Sequence, residues 1–158
     1  MAKVTEHIYL ENLDGRAIRF ANFKGVERPP YNARGQRNFS IDILDDEFAN
    51  KLAKDGWNIK PAVDKETPEG EIIHYPAHLK VNIKYNPERN LGPKVMMEQA
   101  GNKVYLDESS IGDLDDMEII EVKAIEIRPY NWDVNGTTGV TAYLDKMRVE
   151  VARDIFCD

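Results

Sequence analysis

His74 and His78 stand four residues apart, the spacing at which a helix would offer both rings to one metal ion. A metal site needs three or four ligands. Tyr75 and Pro76 lie between the two, in a stretch that reads as extended, where that spacing does not converge. No metal is expected there, and His7 reads as an ordinary surface or satisfied histidine. The chain has no phosphate-binding glycine loop, no G-x-S-x-G elbow and no H-E-x-x-H helix. Its single cysteine, Cys157, has no partner for a disulfide, which fits a reducing compartment. Asp113, Asp115 and Asp116 imitate the opening of a calcium loop. The sixth and twelfth positions of such a loop are Gly and Glu, but here they are Glu118 and Ala124. The residues point to no catalysis and call for no cofactor and no metal.

Charge and aromatic placement say more. The 158 residues carry a net charge of −7, which taken alone argues against nucleic acid. Mapped along the chain, the window Glu98–Glu121 holds eight acidic residues and one base, Lys103, and so accounts for the whole excess. Arg16–Arg37 is net +5 through Arg16, Arg19, Lys24, Arg28, Arg34 and Arg37 against Glu27. Lys80–Lys94 is net +3 through Lys80, Lys84, Arg89 and Lys94 against Glu88. Aromatic residues interleave with these cations: Phe20, Phe23 and Tyr31 in the first segment, Tyr85 in the second, and Tyr130 and Trp132 beside Arg128. Single-stranded nucleic acid requires this pairing, cations for phosphates and flat rings for bases. Phe20, Phe39 and Trp57 are expected in the core. Tyr31, Tyr130 and Trp132, in turns beside Pro, Asn and Gly, are expected to be platforms. The acidic window reads as solvated surface, or as a device that repels DNA from the wrong face or recruits a basic partner.

The elements that must position these residues are mainly strands. Residues 7–10 and 16–23 read as strands around Gly15. Residues 24–36, with two Gly, two Pro and an Asn, form a long loop of the kind usually tied to function. Phe39, Ile41 and Ile43 alternate with polar residues, marking a half-buried strand. Asp45 reads as an N-cap and Gly56 as the stop of the one helix. Residues 60–72 read as a loop. His78–Tyr85 alternates, with Lys80, Asn82 and Lys84 sharing one face. Residues 94–98 and 103–106 suggest a hairpin, followed by an acidic connection over 107–117. Two long strands, 118–130 and 140–151, close the chain. Each switches the parity of its apolar residues once, after Ala124 and after Leu144, as an inserted bulge or a strand passing from one sheet to another would produce. Long bent strands with one helix suggest a small Greek-key barrel of the oligonucleotide-binding (OB) type, with a β-sandwich as the competitor.

The runs Arg37-Asn38-Phe39, Asp55-Gly56-Trp57-Asn58, Leu79-Lys80-Val81, Ile127–Trp132 and Gly139–Leu144 together resemble phage-encoded single-stranded-DNA-binding proteins with a single OB barrel. The resemblance covers about residues 17–151 and rests on the order and spacing of short motifs. It implies a non-enzymatic protein that coats single strands in phage replication or recombination, without sequence preference. Many such proteins end in a long acidic tail that recruits partners. Here the end is only Arg153–Asp158, so the internal acidic window is a candidate substitute for recruiting phage or host replication or recombination proteins.

The expectation is one OB-like domain over 1–158, with a short tail from about 152. It carries no apolar signal-peptide core and no membrane-length apolar run. It is expected in the cytoplasm, that of the host cell if phage-encoded, and off the membrane. The expected DNA contacts are Arg16, Arg19, Phe23, Lys24, Arg28, Tyr31, Arg34, Arg37, Lys80, Lys84, Tyr85, Arg89, Lys94, Arg128, Tyr130 and Trp132. Charge and ring placement supply that set; the resemblance does not. A non-enzymatic phage module for duplex DNA or for a protein partner is the alternative function.

Overall fold

A computed structural model describes residues 3–30 and 32–153. Eleven strands and one α-helix run in the order β1 (Ile8–Asp14), β2 (Ile18–Asn22), β3 (Arg37–Ile43), α1 (Asp46–Asp55), β4 (Ile59–Lys60), β5 (Val63–Glu66), β6 (Ile72–Tyr75), β7 (Ala77–Ile83), β8 (Lys94–Gln99), β9 (Asn102–Leu106), β10 (Ile119–Val134) and β11 (Thr137–Val151). The main sheet is ordered β1-β10-β11-β7-β3-β2. Its two ends, β1 and β2, are consecutive in the chain, joined by a 3-10 turn over Gly15–Ala17. The sheet therefore curls until its edges are chain neighbours, although no backbone pairing closes it there. With β7 and β11 parallel and the other pairs along this path antiparallel, the arrangement is that of an OB-like barrel left open at one corner. Gly15 makes that corner possible: a Cβ there would come 1.7 Å from the Ile119 carbonyl oxygen.

Sequence pattern accounts for most of these elements. In β7, Leu79, Val81 and Ile83 are buried while Lys80 is exposed and Asn82 half-buried. Asp45 caps α1, its carboxylate accepting from the Glu47 and Phe48 amides, and Gly56 ends the helix in the left-handed region. Both expected bulges are present. Pairing of β10 with β11 shifts between Val122 and Ala124, and again where Asp145 is the extra residue opposite Glu126 and Ile127. Each shift returns the next apolar residues, Ile125 and Met147, to the core. The core also holds Phe39, Ile41, Leu79, Ile127, Val149 and Trp57.

Three expectations need correction. The stretch 60–72 is not a plain loop, since it carries part of β4, all of β5 and the start of β6. Tyr130 and Trp132 do not lie in a turn. β10 runs on to Val134, and the reversal is the Asn135-Gly136 pair, both with positive φ as a tight hairpin turn requires. Phe20 is not in the core. It is 75% exposed, at φ 53°, where the pairing of β2 with β3 is interrupted between Arg19 and Asn22. No helix among the described residues is long and apolar enough to cross a membrane.

Candidate nucleic-acid interface

On the side of the sheet away from the core, residues of four adjacent strands line up in register, although Asn38 and Ser40 on β3 are themselves buried. Asn38 on β3 faces Asn82 on β7, Asn82 faces Tyr143 on β11, and Tyr143 faces Arg128 on β10. One row along, Arg19 on β2, Ser40 on β3 and Lys80 on β7 align. Along β10, Tyr130 and Trp132 share the parity of Arg128, opposite the buried Ile125 and Ile127. The rings pack on one another and on backbone. The Arg128 guanidinium carbon sits 4.9 Å from the centre of the Tyr143 ring. Tyr130, 55% exposed, meets Tyr143 edge-on at 6.1 Å between centroids. Trp132 lies across Gly139 on β11, where a Cβ would come 2.3 Å from the indole Cζ2. Glycine at that position lets the indole lie flat against the hairpin. In an OB barrel, the second- and third-strand face and its two flanking loops are the usual ligand-binding surface. Here that face is β3 and β7, flanked by residues 23–36 and by the β10–β11 hairpin.

The loop 23–36 is knitted shut. Arg28 and Asn32 exchange backbone hydrogen bonds at 2.9 Å, and the Gly35 amide donates to the Gly25 carbonyl at 2.8 Å. Buried Asn22 bonds both ways to the backbone of Val26, and buried Asn38 donates to Asn32. The acidic segment holds the loop's base. The Asp115 carboxylate accepts from the Phe23 and Lys24 amides at 3.0 and 2.9 Å, and Lys24 Nζ reaches Asp116 at 2.9 Å. Part of the acidic window is therefore structural mortar against the basic loop, where solvated surface was expected.

Most cations of the first basic segment are engaged. Arg16 pairs with Asp14 at 3.1 Å. Arg19 pairs with Asp42 at 2.7 Å; burial raises the Asp42 carboxyl and the Arg19 charge opposes that rise. Arg28 donates to the Ala21 carbonyl, and Arg37 to the Phe23 carbonyl at 2.9 Å. Arg34 is exposed and makes no ion pair among the described residues. Tyr31 lies outside the described residues, as does the tail from Asp154 onward. In the second segment, Lys80, Lys84, Arg89 and Lys94 are all exposed and form no ion pair among the described residues.

Two aromatic residues of the expected contact set are not open faces. Phe23 is fully buried and packs on Phe39 with centroids 5.5 Å apart, so it belongs to the core. Tyr85 is half-buried, its hydroxyl without a hydrogen-bond partner among the described residues, and burial pushes its pKa up to about 12. With Arg37, whose guanidinium carbon is 6.0 Å from the ring centre, and Lys94, it lines a separate cleft of about 690 Å³. Arg16 and Arg28 border another, of about 370 Å³, together with Asp115 and Glu118. The expected contacts thus divide among places. Lys80, Arg128, Tyr130 and Trp132 share the outer sheet face, Arg19 reaches its margin, Phe23 belongs to the core, and the other described contacts border clefts or stand apart.

The sequence reading missed two residues of that surface. Tyr143 was visible only as one member of an alternating strand. Phe20 had the alternation of a core residue, and the irregularity that turns it outward has no mark in residue types. The histidines form no shared site. His74 Nδ1 lies 2.6 Å from Asp64 and its Nε2 3.5 Å from Asp46, contacts that raise its pKa, the Asp64 hydrogen bond first. His78 faces Asp42 and Lys60 on neighbouring strands. His7, Glu126 and Asp145 bring three potential ligand atoms within 4.8 Å of one another. His7 Nδ1 and Glu126 already pair at 2.8 Å, which lowers the Glu126 carboxyl, while burial and then Glu126 raise Asp145.

Residues 2–156 match the family model described as a putative phage ssDNA-binding domain. The chain belongs to that family. Solved structures of the single-stranded DNA-binding protein from bacteriophage Enc34 share the fold of this phage ssDNA-binding domain. A C-terminal truncation of that protein aligns at TM-score 0.50 and 13% identity, over 94% of this chain and 87% of its own. The Enc34 protein in complex with ssDNA aligns at 0.50 and 11%, over 98% and 95%. A further Enc34 structure aligns at 0.51 and 12%, over 96% and 84%. No curated protein sequence matches the chain.

Proposed function

We propose that this protein binds single-stranded DNA without sequence preference, across the outer face of β3, β7, β11 and β10. Lys80, Lys84 and Arg34 meet phosphates, while Arg128 positions the Tyr143 ring. Bases stack on Tyr130, Tyr143 and Trp132, with Phe20 at the margin. The observation that carries this reading is the coincidence, on one sheet face, of packed rings with Arg128 and with the exposed Lys80, which makes no ion pair among the described residues. Membership of the phage ssDNA-binding family and the ssDNA complex of the Enc34 protein support it. Stacking tolerates any base, because every base offers a π-face. The role is non-enzymatic coverage of single strands during phage DNA replication or recombination, in the host cytoplasm.

A gel-shift series tests this, with labelled single-stranded DNA, duplex and RNA at two salt concentrations. The expected result is preferential retention of single-stranded DNA, weakening steeply as salt rises because phosphate contacts release counterions. Preference for duplex, or no retention of any nucleic acid at low salt, overturns the reading in favour of a duplex-DNA or protein-interaction module.

A further inference from the structure

The face bearing Arg128, Tyr130 and Trp132 does not end at Arg128. Ala124 and Glu126 share its parity on β10, and beyond the Asp145 bulge Lys146 and Arg148 continue it on β11. Two registers extend it sideways. Tyr9 on β1 aligns with Glu126, then Lys146, then Lys94 on β8. Ala124 aligns with Arg148, then Met96 on β8, then Tyr105 on β9. These residues line a cleft of about 290 Å³. Both tyrosines are large exposed aromatics, Tyr9 at 55% and Tyr105 at 71%. Three cations, Lys94, Lys146 and Arg148, line the cleft with one carboxylate, Glu126, which His7 already holds at 2.8 Å, and Glu11 at its edge accepts from the Tyr9 hydroxyl at 3.2 Å. Arg148 also pairs with Glu98, whereas Lys94 and Lys146 make no ion pair among the described residues.

We infer that the cleft between Tyr9 and Tyr105 is a second subsite for the same single strand, continuing the track past the β3–β7 face. The inference rests on the single-strand reading above. Its own support is chemical and geometric. The cleft repeats the pairing of rings with cations, two of which make no ion pair among the described residues, and it follows the first face along β10 with Glu126 between them. From Trp132 to Ala124 the β10 backbone covers about 26 Å at roughly 3.3 Å per residue. A strand crossing both subsites therefore uses a longer stretch of nucleotides than the first face alone, within the ~4–16 nucleotides that OB folds occupy.

The test compares two thymine oligonucleotides, one of about six and one of about sixteen nucleotides, spanning that range. Binding of each is measured by fluorescence anisotropy for the full chain and for the double variant Tyr9→Ala/Tyr105→Ala. Loss of a stacked base at ~1–3 kcal/mol corresponds to roughly 5- to 150-fold in affinity. The double variant is expected to lose at least about 10-fold on the long oligonucleotide and to bind the short one as the parent chain does. Lys146→Glu, an exposed position, should reproduce the length-selective loss if the double variant folds poorly. Parent-like binding of both lengths by these variants overturns the inference and leaves the first face standing. Equal loss on both lengths with an unchanged melting temperature also overturns it. Failure of the parent chain to bind either oligonucleotide overturns the single-strand reading itself.

Discussion

The two basic segments differ in the opposite sense from their charge counts. Residues 16–37 carry the larger excess, yet Arg16, Arg19 and Lys24 each sit on a carboxylate, and Arg28 and Arg37 bond to backbone carbonyls. Residues 80–94 carry less charge, and all four of their cations are unpaired among the described residues. Apart from Arg34, the cations of the first segment already have partners in the fold, whereas those of the second make no ion pair among the described residues. Charge along a sequence counts cations, whereas binding depends on those whose partners the fold has not already supplied.

The sharpest way to break this comparison lies in two phenylalanines of the first segment. Phe23→Ala should cost about 3–5 kcal/mol of stability in chemical denaturation, as expected for an emptied core site. Phe20→Ala should leave stability within about 0.5 kcal/mol, since the ring is exposed. It should weaken single-strand binding by about 1–3 kcal/mol in the same titration. If Phe20→Ala destabilises and Phe23→Ala weakens only binding, the assignment of core and platform is reversed.

A smaller effect separates the cations. For single strands, log affinity falls with log salt at about 0.7 per phosphate contact. Lys80→Ala/Lys84→Ala should therefore shallow that slope by about 1.4, if each lysine meets one phosphate. Arg16→Ala, whose partner is Asp14, should leave the slope unchanged. Equal effects would mean that the Arg16–Asp14 pair opens for DNA.

The smallest effect concerns the β5–β6 hairpin. Asp64 and Asp46 hold the His74 imidazolium, so its folded pKa lies above the ordinary 6.5. A raised histidine contributes stability that is full below its unfolded pKa and lost as pH rises through the folded one. NMR titration of the ring should give a midpoint above 6.5, and amide protection factors in the hairpin, corrected for base-catalysed intrinsic exchange, should fall as pH passes that midpoint. His74→Gln should abolish that pH dependence.

Much of this was legible in residue types. The alternation of β7, the Asp45 and Gly56 caps and both parity switches in β10 and β11 follow from period and punctuation, and the structure carries all of them. The lysine stripe and the rings at Tyr130 and Trp132 were equally visible. What was hidden depends on contacts distant in sequence. Asp115 reaches Phe23 across 92 positions, and no local pattern marks an acidic turn as the clamp of a basic loop. Phe20 turns outward because of a positive φ that alternation does not foresee. The short strands β4–β6 formed from residues rich in Glu, Lys, Pro and Gly, whose local preferences favour a loop.

The central claim is that bases stack on the ring cluster of the β10–β11 hairpin. The chain holds two tryptophans: Trp57, buried in the core, and Trp132, half-buried on that cluster. The most direct measurement is a tryptophan-emission titration with a thymine oligonucleotide at low salt, on the parent chain, Trp57→Phe and Trp132→Phe. The account predicts quenching that persists in Trp57→Phe and disappears in Trp132→Phe. Quenching that follows Trp57 instead, or no quenching in the parent chain while the oligonucleotide binds, would contradict it.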